Sequence, residues 1–263
     1  MKKMLAALLA ALLLMSLSAA ALAEGRLEAI KATGKLVVAT SPDYAPYEFP
    51  GPDGKPVGAD MTFAQYIADK LGVELVVESF NFDGVLAAVA AGKIDLGIAG
   101  MDPTPDRLSS MDFTDIYYNE TNQVILIHKD NAETIKTLAD FAGKKVAAQN
   151  WTLQQTLVSE QLKDSQMELI TQIPDGVMML LSKKVDGIAL ASVVADQYVA
   201  NYPDLVQCES KFDYVSSGIA AAVPKGEPEL LAALNEIVKE VVEQNLFYKW
   251  MDEAVELNNS MTK

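Results

Sequence analysis

Cysteine and histidine are almost missing from this chain. Cys208 is the single cysteine among 263 residues, so no internal disulfide can form. His128 is the single histidine, and one imidazole cannot make the His/Cys clusters that hold transition metals. A Cys208–His128 nucleophilic pair is formally open, but the plainer reading is a buried thiol and a histidine at a strand end. Basic residues are also scarce, with 21 Lys and Arg against 36 Asp and Glu and a net charge of −15. Such a chain repels phosphate backbones and anionic membranes, which excludes nucleic acid as a partner. No apolar run reaches the roughly 20 residues that a membrane span needs. The longest candidate, residues 4–17, instead follows Lys2 and Lys3 and precedes Ala21-Leu22-Ala23. That order is a secretory signal peptide, residues 1–23, cut before Glu24. Its removal takes the basic residues from 21 to 19 and the net charge to −17. No cysteine stands at the cut to carry a lipid, so the mature chain is expected to be exported, periplasmic and not inserted in the membrane.

What is present is an alternation of strand and helix signals. Residues 36–40 read as a buried strand. Asp60 reads as the N-cap of a helix whose Phe63, Ile67 and Leu71 repeat every four residues and whose Gly72 ends it. A strand over 73–79, a helix over 84–91 and a strand over 94–98 follow. The pattern recurs downstream, with strands at 124–127, 145–149, 167–171 and 186–190 and helices at 152–162, 176–183 and 192–201. A last strand at 217–223 and helices at 227–244 and 246–257 close the chain. The fold class is therefore α/β, with mostly parallel sheets flanked by helices. Two such units in about 240 residues point to two lobes joined near 119–123 and 214–217, a two-strand hinge with a cleft between.

Two segments lie beyond strand ends, where open parallel sheets take their ligands. In AGMDPTPDR, Ala99 to Arg107, Thr104 followed by Pro105 predicts a short helix running to about Met111. Gly100 lets the backbone approach a ligand closely, and the fork of Arg107 matches a carboxylate. A surface pairing of Arg107 with Asp102 or Asp106 stays open beside that reading. In AQNWTLQQ, Ala148 to Gln155, Thr152 opens an amphipathic helix whose free N–H groups suit an anion. An ordinary cap explains Thr152 equally well, although it does not explain Trp151. Tyr44 and Tyr47 follow the first strand, and Phe82 is placed in the loop before the second helix.

The chain resembles the type II periplasmic amino-acid-binding proteins of ABC importers. The likeness runs through ATSPDYAPYEF, PVGADMTFAQYIADKLG, FDGVLAAVAAGKIDLGIAGM, TPDR with MDFTDIYY, FAGKKVAAQ and SGIAAAVPKGEPELLAALNEIV, nearly the whole mature chain. The resemblance implies a two-lobed fold, with lobe 1 formed by residues 24–120 plus 216–263 and lobe 2 by 121–215. It implies a monomer without cofactor that hands an amino acid to the importer's membrane subunits. Tyr44 and Phe82 match rings that sandwich the ligand side chain. Gly100 and position 102 match groups that meet the α-ammonium, and Arg107 matches the arginine that grips the α-carboxylate, helped by the N–H of Thr152. Gln149 lies where specificity is tuned, and Ser41 faces the same pocket.

Two positions depart from that pattern. Ala191 stands where the family has an aspartate for the α-ammonium, and Trp151 where it has a glycine. Asp102 stands where the family has a neutral hydroxyl, so the negative charge is expected to have moved across the cleft. Trp151 is expected to wall the pocket with its ring, the alternative being a ring laid on core with only its backbone N–H in use. No matched pocket position other than Asp102 carries a selecting charge, so a neutral ligand is expected, polar or apolar and aromatic. An enzyme on the same scaffold, such as a cyclohexadienyl-type dehydratase with Asp102 as its acid, is the alternative.

Overall fold

A computed structural model of the chain describes residues 25–119 and 122–261. The expected signal peptide lies outside the described residues. The chain opens with α1 (Arg26–Thr33), β1 (Lys35–Thr40), the hairpin β2 (Phe49–Pro50) and β3 (Pro56–Val57), and α2 (Ala59–Leu71). It continues through β4 (Glu74–Ser79), α3 (Phe82–Ala90), β5 (Leu96–Gly97), α4 (Pro105–Ser110) and β6 (Met111–Phe113). The second run holds β7 (Gln123–His128), β8 (Lys145–Gln149), α5 (Leu153–Gln161), β9 (Gln166–Ile170), α6 (Ile173–Leu181), β10 (Gly187–Ala191), α7 (Ser192–Asn201) and β11 (Leu205–Gln207). Strand β12 (Ala222–Pro224) and helices α8 (Pro228–Glu243) and α9 (Leu246–Met261) end it.

These strands form two five-stranded sheets, ordered β4-β1-β5-β12-β6 and β11-β7-β10-β8-β9. The fold is the two-lobed α/β arrangement expected. In each sheet four strands run one way and one runs against them. That strand is β12 in the first sheet and β7 in the second, each of them reached directly after the chain crosses between units. Strands β1, β4 and β5, and likewise β8, β9 and β10, are parallel and joined through helices.

Local chemistry explains where the elements stop. Gly72 closes α2 with φ +72, a left-handed turn that an L side chain resists. Thr104 caps α4, its Oγ1 accepting from the Arg107 N–H at 3.5 Å, and Pro105 supplies the first helical position. Asp60 is not a cap. Gly58 takes the position before the helix, and the Asp60 side chain turns inward and is wholly buried. Phe82 is likewise the first residue of α3 rather than a loop residue, because the chain is extended only as far as Asn81.

Helix α9 joins the two halves of the core. Phe247 is fully buried among Phe63, Tyr117 and Tyr118, with ring centroids 6.1, 4.7 and 5.3 Å away. From the same helix Asn258 donates to the Gln197 side chain on α7 at 3.1 Å. Burying one such ring contributes roughly 1.5–3 kcal/mol, so this seam is a substantial part of the core. Among the described residues no helix is long and apolar enough to cross a membrane.

Candidate ligand-binding site

The ends of β1, β5 and β8, with the turns that follow, converge on one cavity between the sheets, with about 420 Å³ of empty space. It is lined by Ser41, Tyr44, Phe82, Gly100, Asp102, Arg107, Gln149 and Thr152, eight of the nine residues singled out from the sequence.

Arg107 is at the centre of the chemistry. It leaves α4 inward and is 8% exposed, with Nη1 donating to the Asp102 carbonyl at 2.8 Å and Nη2 to the Trp151 carbonyl at 3.1 Å. The Phe82 ring covers its guanidinium at 5.0 Å. No carboxylate among the described residues lies within salt-bridge distance of it. Burial pulls its pKa down to about 10, with Asp102 pushing the other way. A buried cation held by two carbonyls and a ring is incompletely neutralised, which is the condition for capturing an anionic group.

Asp102 is buried as well, and it is not a surface partner of Arg107. Its Oδ1 accepts from Ser216 Oγ at 3.0 Å and its Oδ2 from Tyr214 Oη at 3.3 Å. Both donors sit on the second crossing between the units. Burial raises the Asp102 pKa, while Ser216 and Arg107 lower it. Tyr214 is pushed up to about 12, first by burial and then by the neighbouring Asp102 charge.

Thr152 caps α5, its Oγ1 accepting from the Gln155 N–H at 3.2 Å and donating to the Gln149 carbonyl at 2.6 Å. Trp151 differs from the expectation of a wall. Its ring is 71% exposed and does not line the cavity. Its φ of +62° turns the backbone so that the carbonyl reaches Arg107, while its N–H donates to Gln155 Oε1 at 2.6 Å. Gly100 has φ +50°, and a Cβ there would stand 3.2 Å from both Tyr44 and Tyr47. Tight packing under those rings therefore requires glycine there.

The residues that reasoning from the sequence missed are mostly acids and amides. Asp43 accepts from Ser41 Oγ at 2.9 Å on its own loop, and from Gln149 Nε2 at 2.8 Å and the Ile173 N–H at 3.0 Å in the second unit. Burial raises its pKa and those hydrogen bonds oppose the rise. Tyr44 stacks on Tyr47 at 5.7 Å, and its hydroxyl accepts from Gln154 Nε2 and from the Ala191 N–H, each at 3.2 Å. Gln154 also donates to Gln123 Oε1 at 2.7 Å. A tyrosine hydroxyl, not a carboxylate, thus meets position 191. Glu48 lines the cavity, and behind it Asp60 accepts from the Gly100 N–H at 2.7 Å and from Tyr117 Oη at 2.9 Å. An available signal was the spacing of Asp43 and Glu48 on the same loop as Tyr44 and Tyr47.

His128 and Cys208 stand apart from this cavity. His128 Nδ1 accepts from the Asp130 N–H at 3.2 Å, and Cys208 is buried with its thiol pKa pushed up by burial. Among the described residues no group of three or more His, Cys, Asp and Glu could hold a metal ion.

Residues 36–253 match the family model of bacterial extracellular solute-binding proteins, family 3. The arginine-binding extracellular protein ArtP of Bacillus subtilis is 31% identical over 259 residues, covering 95% of this chain and 98% of ArtP. A probable histidine-binding protein of Campylobacter jejuni is 32% identical over 219 residues, covering 83% of this chain and 79% of its own. Among solved structures, an amino acid ABC transporter substrate-binding protein from Streptococcus pneumoniae bound to L-arginine superposes with a TM-score of 0.84 and 35% identity, covering 89% of this chain and 98% of that one. Those relatives are binding proteins by name, and the family is extracellular. With a two-lobed fold, a buried guanidinium facing the cleft and a family match over most of its length, this chain belongs to the bacterial extracellular solute-binding proteins, family 3.

Proposed function

We propose that this protein captures a free amino acid in the cavity between its sheets and delivers it to the membrane subunits of an ABC importer, without catalysis. The observation that carries the reading is Arg107, a buried guanidinium with two carbonyl partners and no carboxylate partner among the described residues. In this reading Arg107 binds the α-carboxylate together with the N–H groups at the start of α5, and Asp102 binds the α-ammonium from the first lobe. Tyr44, Phe82, Gly100, Ser41 and Gln149 complete the walls, and Trp151 contributes its backbone. Residues 24–120 with 216–263 form one lobe and 121–215 the other, and the protein works as a periplasmic monomer.

The neutral ligand expected from the sequence rested on Asp102 being the sole charge in the pocket apart from Arg107. Asp43 also lines the cavity, beside a Glu48 that burial holds protonated, so that ground is removed and a cationic side chain is favoured. The dehydratase reading would need Asp102 free to deliver a proton, and both its oxygens are engaged by Ser216 and Tyr214.

The test is a thermal-shift panel of the twenty amino acids, followed by calorimetry of the best one and of its α-carboxamide. A ligand at a hundred times its Kd adds about 2.7 kcal/mol of stability. The carboxamide is expected to bind at least tenfold more weakly, since a hydrogen bond between charged groups contributes ~1.5–3 kcal/mol. A panel in which no amino acid raises Tm, or a carboxamide that binds as well as the acid, overturns the reading.

A further inference from the structure

The Asp102 carboxylate is held by two hydroxyls that are themselves anchored in different units. Asp102 is buried and lines the cavity, and no cation among the described residues lies within salt-bridge distance of its carboxylate. Its hydrogen-bond donors are Tyr214 Oη, to Oδ2 at 3.3 Å, and Ser216 Oγ, to Oδ1 at 3.0 Å. A buried carboxylate without a cation is costly, and donors to each oxygen offset that cost.

Tyr214 is fixed to the second unit. Its ring packs against the apolar cluster that holds Leu157, Val158 and Phe212. The preceding residue is clamped to α5, where the Asp213 N–H donates to Gln161 Oε1 at 2.9 Å and Gln161 Nε2 donates to the Asp213 carbonyl at 3.0 Å. Ser216 is fixed to the first unit. Its Oγ accepts from the Gly218 N–H at 3.0 Å, and a Cβ at Gly218 would stand 2.2 Å from Ile116 Cγ2. Just beyond, the Ile219 N–H donates to the Tyr118 carbonyl at 2.7 Å, and the Ile219 carbonyl accepts from the Tyr117 N–H at 3.0 Å. Val215 between them is exposed, the alternation of an extended segment that turns residues 214 and 216 to the same side.

Each carboxylate oxygen can accept a second hydrogen bond. With one position on each oxygen taken by the crossing segment, the others remain for a donor in the cavity. Across the cavity, position 191 offers no acid, and its N–H is turned to Tyr44 Oη at 3.2 Å.

We propose that Tyr214 and Ser216 are positioning residues for the ligand's α-ammonium. Together they fix and aim the Asp102 carboxylate, and through Tyr214 the second lobe contributes to a grip that it cannot supply from Ala191. This rests on the amino-acid reading of the cavity, with Asp102 as the ammonium contact, and adds what orients that contact.

The probe is the standard L-amino acid that raises the wild-type Tm most in a panel of all twenty, and calorimetry reads its Kd. Tyr214→Phe and Ser216→Ala are each expected to weaken binding by at least about fivefold, because each removes a hydrogen bond to a charged group. Ser216→Thr keeps the hydroxyl for both Asp102 and Gly218 and is expected to stay within about threefold of wild type. The deciding measurement is Tyr214→Phe made in the Asp102→Asn background. A residue that acts through the Asp102 charge should change Kd there by less than about twofold. Equal losses in both backgrounds, or a Ser216→Thr variant as weak as Ser216→Ala, would show a purely structural role and overturn the inference. So would Tyr214→Phe and Ser216→Ala both binding within about twofold of wild type while Asp102→Asn binds weakly; the ammonium contact then stands without its positioning residues. Asp102→Asn binding as well as wild type overturns the ammonium assignment and this inference with it, and a panel without any Tm rise overturns the amino-acid reading itself. Should Tyr214→Phe not fold, the two Ser216 variants, each also made in the Asp102→Asn background, decide.

Discussion

Replacing Asp102 by asparagine tests how the α-ammonium is held. The substitution keeps the shape and removes the charge. Its two donors, Ser216 Oγ at 3.0 Å and Tyr214 Oη at 3.3 Å, are hydroxyls that can turn to donate or accept, so an amide satisfies both with little cost to folding. What is lost is the charged partner of a buried ammonium, about 1.5–3 kcal/mol, or roughly a 10- to 150-fold rise in Kd. Calorimetry with the best amino acid reads the Kd, and the Tm of the ligand-free variant checks the fold. A deaminated analogue closes the cycle, because it should bind both proteins with the same weak affinity. An asparagine variant within about threefold of wild type for the amino acid would show that the ammonium rests elsewhere. The charge would then not have crossed the cleft to compensate for Ala191.

Asp43→Asn removes the charge that accepts from Gln149 and from the Ile173 N–H in the second lobe. It should weaken the best ligand by about 1–2 kcal/mol, with most of the change in the dissociation rate, and stopped-flow measurement showing an unaltered off-rate would contradict it. Trp151→Gly removes a left-handed, 71% exposed residue while keeping the carbonyl that holds Arg107. Relief of roughly 1–2 kcal/mol of backbone strain offsets the lost ring, so Tm should hold or rise and Kd stay within threefold, and a tenfold weaker Kd would restore the ring as a wall. Glu48→Gln carries a pH signature. In the unfolded chain Glu48 ionises above about pH 4.3, while the native state keeps its proton to higher pH, so the native chain binds more protons in that window and loses stability as pH rises. The Tm of the variant relative to wild type should therefore climb from pH 4 to pH 7, and parallel curves would refute a protonated Glu48.

Much of the fold is written in local patterns. Strand β8 and helix α7 begin and end where the sequence places them, because an apolar run bounded by turn residues and a four-residue repeat are signals carried by neighbours. Thr104 with Pro105 and Gly72 work for the same reason. The three-residue strands β6 and β11 leave no such trace, since pairing with a distant strand is what makes them strands. Asp60 shows the limit most clearly. By sequence it is a capping residue, but the Gly100 N–H and Tyr117 hydroxyl, 40 and 57 residues away, draw it into the core. Asp43 and Glu48 escaped for a related reason, because an acid in a loop is read as solvated until the residues that bury it are known.

Under the proposed function, the same chemistry would make closing the cleft and binding the ligand one event. Tyr44 and Arg107 belong to the first lobe, yet Tyr44 meets Ala191 and Gln154 across the cavity and Arg107 meets Trp151. Asp102 is met by Ser216 and Tyr214 from the crossing segment. Each of these side chains lines the cavity and also holds a partner beyond its own lobe. A carboxylate placed against Arg107 would neutralise a charge whose protein partners are two carbonyls, one from each side of the cleft, so it stabilises the apposed arrangement and the contact together. Substitutions at Arg107 should therefore reduce affinity and cleft closure by correlated amounts. A variant that closes normally, by small-angle scattering with saturating ligand, yet binds a hundredfold more weakly would separate the two and break this account.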